Sequence, residues 1–146
     1  MNGIHSNSTE ILDQSHTGTY KWSINRDYNF SPTGDIFGYS TVNVPKTETK
    51  EEYLLLIGGC YSLIEMKTNP NVYSKKVHKY NGSWSFFGNL RKTRAFHSSL
   101  FLDGRILIIG GGVNWDNRWQ KTEIWDTKNS EVSFQIGENS ESATNH

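Results

Sequence analysis

Very little in this chain can be held together covalently. Cys60 is the single cysteine among 146 residues, so no disulfide can form within the chain. The cysteine framework that staples many small secreted domains is therefore excluded. Long apolar runs are missing as well: the longest, Leu54–Ile57 and Ile106–Ile109, are far too short to cross a bilayer as a helix. There is no excess of either charge, with 15 basic and 15 acidic residues scattered along the chain. Neither a nucleic acid nor an anionic membrane surface would find the concentrated positive charge it needs. Met1–Glu10 has neither the basic nor the apolar region of a secretory leader. The compartment stays open, leaning toward the cytoplasm. Alanine, the best helix former, occurs only at Ala95 and Ala143, and no segment longer than about ten residues carries a helical apolar period.

What the chain does have is aromatic side chains, at 13% of residues, together with abundant glycine and threonine. That mixture suits short pleated strands joined by tight turns. It also has a repeat. Tyr53-Leu-Leu-Leu-Ile-Gly-Gly59 recurs as Arg105-Ile-Leu-Ile-Ile-Gly-Gly111, 52 residues later. A fixed period of this length marks stacked supersecondary units. The flanks match too. Phe37 precedes the first copy and Phe96 the second, and their offsets differ by the seven-residue run Lys46–Glu52. In the second copy that run is replaced by Asp103-Gly104, a strong two-residue hairpin signal. Downstream of each copy come two further β-prone runs, Ser74–Tyr80 and Trp84–Phe87 in the first, Thr122–Asp126 and Val132–Ile136 in the second. Each unit reads as four short strands. The apolar runs are continuous, as expected where a strand is covered on both faces.

In order, these elements are Arg94-Ala-Phe-His97, a hydrophobic strand ending in Gly110-Gly111, a loop, Glu123-Ile-Trp-Asp126 and a final strand. The pattern resembles the kelch repeat, and the resemblance covers roughly residues 35–134. It implies an all-β fold, a partial β-propeller of four-stranded antiparallel blades, with blades at 35–88 and 94–136. Tyr20–Ile24 is then the outer strand of a preceding blade within a repeat region 19–136, flanked by polar tails 1–18 and 137–146 that are expected to be disordered. The first blade departs from the motif, with Asp35 where the second has Arg94 and Gly38 where the second has His97. Structural roles follow for Gly58, Gly59, Gly110 and Gly111 at the strand ends. Trp22, Trp84 and Trp125 are expected to fill the wedge between blades, and Arg94 and His97 to satisfy backbone carbonyls and the next blade's acidic positions. A ring needs at least four blades, about 200 residues at this period. The chain is therefore expected to be a fragment of a longer protein, or to self-associate through exposed blade faces.

Function is expected to lie in loops. Trp115, Arg118 and Trp119 stand in the polar stretch Gly112–Gln120, and they are residue types that anchor protein interfaces. The equivalent loop of the first unit, Cys60–Tyr73, offers Tyr61 and Tyr73 as secondary contacts. No catalytic, cofactor-binding or metal-binding residue is expected. His5, His16, His78, His97 and His146 show no metal-ligand spacing, and Cys60 has no basic neighbour in sequence to activate it. The reading is a non-catalytic module that binds a protein partner. The alternative is a fragment of a copper-radical oxidase of the galactose-oxidase type, whose propeller is kelch-like.

Overall fold

The computed structural model describes residues 9–15, 17–111 and 121–137, and over them the chain is all β. Apart from one 3-10 turn, Pro70–Val72, the regular elements are antiparallel strands. A hairpin of β1 (Thr9–Gln14) and β2 (Tyr20–Asn25) comes first. Then follow two four-stranded sheets in simple meander order. Sheet 1 is β3 (Ser40–Val44), β4 (Tyr53–Ile57), β5 (Lys76–Tyr80) and β6 (Trp84–Asn89). Sheet 2 is β7 (Ser98–Leu102), β8 (Arg105–Ile109), β9 (Glu123–Asp126) and β10 (Gln135–Ile136).

The repeated segments thus occupy the same place, the second strand of each sheet. Local chemistry explains the match. Asp103 and Gly104 both take positive φ, 49° and 73°, which closes β7–β8 with the two-residue turn that follows the twist of the strands. After β4, Gly58 and Gly59 have φ of 64° and 112°; after β8, Gly110 and Gly111 have 71° and 91°. Both strands therefore leave their sheets through the same left-handed turn. Close approach demands glycine here too. A Cβ on Gly58 would stand 2.5 Å from the Arg94 carbonyl oxygen, and one on Gly111 2.6 Å from that of Ala95.

The 52-residue shift also sets how the sheets stack. Residues at equivalent positions of equivalent strands point to equivalent faces of their sheets. Leu55 and Ile57 of β4 correspond to Leu107 and Ile109 of β8, while Leu54 and Leu56 correspond to Ile106 and Ile108. The core between the sheets joins Val42, Val44, Leu55, Ile57 and Val77 of sheet 1 to Ile106, Ile108 and Trp125 of sheet 2, with Phe134 beside them. Sheet 1 thus presents its Leu55 face and sheet 2 the opposite, Ile106 face. Like stacked plates, the sheets face the same way. Leu55, Ile57, Ile106 and Ile108 are fully buried, each contributing about 1.5–3 kcal/mol. Their repeat counterpart on the far side of sheet 2 is more open, with Ile109 42% and Leu102 54% exposed.

Several expectations need correction. Residues 9–14, assigned to a polar tail, form β1, because pairing with β2 satisfies their backbone even though their side chains stay largely exposed. Of the expected tails, residues 1–8, 16 and 138–146 lie outside the described residues. Trp22 does not fill a wedge: it sits 63% exposed on β2, opposite Leu12. Trp125 does lie between the sheets, its ring edge-on to Phe87 at 5.3 Å. Trp84 packs on the other face of sheet 1, edge-on to Phe30 at 4.8 Å. The fourth strand of sheet 2 is shorter than expected, only Gln135–Ile136. Arg94 and His97 lie in the segment that leads into β7.

Candidate functional site

Strand register gathers the long connections at one end of the molecule. The start of β3 (Ser40) pairs with the end of β4 (Ile57), which pairs near the start of β5 (Val77). The start of β7 (Ser98) likewise pairs with the end of β8 (Ile109). Segments 26–39, 58–75, 90–97 and the stems of 110–122 therefore share the double-glycine end. At the opposite end the strands are joined by 45–52, 81–83, 103–104 and 127–134.

At this end a small second core forms from Cys60, Val72, Tyr73 and Ala95, with Met66 packed against it. Cys60 bridges Phe37 on one side and Tyr73 on the other by β-type pairing. Its thiol donates to the Ser62 carbonyl at 3.2 Å, and burial pushes its pKa up, which keeps it a poor nucleophile. Tyr73 belongs to this core. It is 5% exposed, and its hydroxyl donates to the Met66 carbonyl, so it folds the loop and offers no surface to a partner. Tyr61 is half-buried, with its carbonyl accepting from Thr33 Oγ1 at 3.3 Å.

The exposed apolar groups of this loop are Leu63 and Ile64, the latter 94% exposed. Turns hold them out: Glu65 N–H donates to Ser62 Oγ at 3.2 Å, and the Glu65 carbonyl accepts from Thr68 and Asn69 N–H at 3.0 and 2.8 Å. Sequence reasoning passed over this pair in favour of aromatics. Two adjacent aliphatics between Ser62 and Glu65 were the available signal.

Behind the neighbouring loop sits a buried ion pair. Arg94 Nε donates to Glu123 Oε2 at 2.7 Å, and both side chains are fully buried. The same guanidinium donates to the Gly110 carbonyl at 3.0 Å and to the Lys121 carbonyl. Arg94 thereby ties together both stems of the connection that carries Trp115, Arg118 and Trp119. Those three residues themselves lie outside the described residues. Glu123 accepts in addition from the Arg91 and Lys92 N–H groups. Carbonyl capping by Arg94 was expected; its acidic partner, however, lies in the same repeat unit, not in the next.

Two histidines are buried nearby without charge. His78, 2% exposed, has Tyr28 Oη at 2.7 Å from Nδ1. Burial, assisted by Lys76, lowers its pKa to about 4. His97, 7% exposed, is also lowered to about 4, by burial first and then by the charge of Arg94. Among the described residues, no group of three or more His, Cys, Asp or Glu side chains is placed to hold a metal ion, and no helix is long and apolar enough to cross a membrane.

No family model matches the chain, and no curated protein matches it. Among solved structures, it is similar to one described as "Structure of YjhT", at 23% identity and a TM-score of 0.56, over 85% of this chain. The likeness shows the fold alone. The chain spans only 36% of the length of that protein, so it corresponds to part of a longer chain there.

Proposed function

We propose that this chain is part of a kelch-type β-propeller that binds a protein partner through the loops of its double-glycine end. The observation that carries the reading is the pairing of two four-stranded antiparallel sheets in 52-residue register with matched glycine turns, which sends both variable loops from the same end. Loop length and composition can vary there at little cost to the strands beneath. The first loop presents Leu63 and Ile64; the second carries Trp115, Arg118 and Trp119 on stems fastened by Arg94. Trp and Arg are residue types enriched at interface hot spots, and Leu63 and Ile64 add exposed aliphatic surface at the same end.

A photo-crosslinking residue placed at Ile64 should trap a defined partner protein, whereas one at exposed Lys128, at the far end, should not. Ile64→Asp should leave stability within about 0.5 kcal/mol and weaken binding by roughly 1–3 kcal/mol, as should Trp119→Ala. Equal adducts from both positions, or binding indifferent to both substitutions, would contradict the reading.

A further inference from the structure

Two hairpin turns carry a residue pair whose side chain can be attacked by the next backbone nitrogen. They are Asn81-Gly82, between β5 and β6, and Asp103-Gly104, between β7 and β8. The attack closes a five-membered ring, so the turn must be free to bring the nitrogen onto the side-chain Cγ. Glycine removes the Cβ that would screen the nitrogen and widens the dihedrals open to it. In both turns that glycine has positive φ, 103° at Gly82 and 73° at Gly104. Their surroundings set the two apart.

The Asp103-Gly104 turn is clasped from outside. The Gly104 carbonyl accepts from Thr127 N–H at 2.9 Å and from Thr127 Oγ1 at 2.6 Å. Leu102 and Arg105 pair across the base of the turn, and Arg105 pairs again with Asp126 of β9. The Asn81-Gly82 turn has no such clasp. Asn81, Gly82 and Ser83 are all exposed, and a Cβ on Gly82 would meet nothing within 4 Å. Asn81 N–H reaches the Ser83 carbonyl only at 3.3 Å, just beyond the usual range of about 2.7–3.2 Å. Among the described residues, no hydrogen bond joins 81–83 to another segment. β6 is also the edge of sheet 1, so the turn is anchored from one side.

We propose that Asn81 is a site of spontaneous covalent modification in the folded protein, converted through a succinimide to aspartate and isoaspartate, while Asp103 is protected by its clasped turn. The Gly82 nitrogen bonds to Asn81 Cγ. The Cγ–Nδ2 bond breaks, and the amide leaves as ammonia, taking up the proton lost from Gly82 N–H. Water then opens the ring at either carbonyl. Breaking the bond from nitrogen to Cγ gives aspartate; breaking the bond to the main-chain carbonyl carbon gives isoaspartate. Isoaspartate adds one carbon to the main chain of the short turn between Tyr80 and Trp84. These two residues pair directly across its base, with their rings 5.1 Å apart. The longer turn therefore loosens the β5–β6 end of sheet 1. The inference does not depend on the proposed partner.

The whole folded chain is incubated in warm, mildly alkaline buffer, digested at mildly acidic pH and mapped by mass spectrometry. Free peptides 76–89 and 98–109, treated alike, give the rate of each turn without the fold. Segment 80–91 should gain the difference between an amide and an acid, about 1 Da, and resolve into aspartyl and isoaspartyl forms. Its rate should lie within threefold of the free peptide. The Asp103-Gly104 segment should form isoaspartate at least tenfold more slowly than its own peptide. Asn81→Gln should remove the gain; a gain that persists there undiminished arises at Asn89 and would overturn the site. Tenfold protection of Asn81 by the fold, or equal protection of the two turns, would overturn it as well. In the purified isoaspartyl chain the Tyr80 and Trp84 amides should exchange at least tenfold faster than in fresh protein, and unchanged exchange would overturn the loosening.

Discussion

Arg94→Ala should destabilise the fold by on the order of 3–5 kcal/mol, because it leaves the Glu123 carboxylate buried without its counter-charge. The pair has no exposed surface on either side, so water cannot replace the lost partner. Arg94 also caps the Gly110 and Lys121 carbonyls, which would be left with no side-chain donor. Glu123→Ala should cost a similar amount, since the Arg91 and Lys92 N–H groups lose their acceptor as well. The double variant should be far less damaging than the sum of the two, with a coupling energy of about 2 kcal/mol or more in a double-mutant cycle. Denaturant melts of the four proteins measure this, and additive effects would show that the pair does not act as a unit. Exchange at Gly111 and Lys121 should rise in Arg94→Ala, because these residues flank the connection whose stems the arginine joins.

Acid should also weaken the fold, beginning near neutral pH. His78 and His97 titrate at about 4 in the folded chain, against an ordinary value of 6.5. Between these values the unfolded chain binds protons that the folded chain does not, so stability rises with pH across this window and falls as pH drops from about 6.5 toward 4. Below the folded value both states are protonated and the histidine contribution levels off. Full titration amounts to roughly 3 kcal/mol for each ring, a large part of the stability of a small domain. Melting curves from pH 7.5 to 4 check the slope, and the imidazole resonances check the assignment. A flat profile between pH 7 and 5, or rings that protonate near 6.5 in the folded chain, would contradict it.

The parts of this fold that were legible in the sequence are those under constraint from two sides. β4 and β8 are covered on both faces in sheet 1 and on one face in sheet 2, so their residues stay aliphatic and their register shows as a repeat. The double glycines were legible because backbone passes within 2.5–2.6 Å of where a Cβ would stand at Gly58 and Gly111. β1 was not legible: its side chains are mostly exposed, and Glu10-Ile-Leu-Asp13 lacks the strict alternation that marks a strand with one buried face. The two residues of β10 lie at a sheet edge and left an equally weak trace. At the candidate site the aromatic side chains misled. Tyr73 is a loop anchor whose inward ring is fixed by the Met66 carbonyl, and only the three-dimensional turn at Ser62–Asn69 shows that Leu63 and Ile64 are the groups held out to solvent.

We propose that these are stacked repeat units whose outer surfaces require a further neighbour. Sheet 2 turns toward solvent the face that, in sheet 1, buries Leu55 and Ile57, and there Leu102 and Ile109 are 54% and 42% exposed. Repeat units draw much of their stability from such interfaces, and about three are usually needed. Sedimentation equilibrium of the whole chain tests this most directly. The weight-average mass should exceed the 16.7 kDa of one chain and rise with concentration. A mass that stays at that of a single compact chain over the whole concentration range would contradict it.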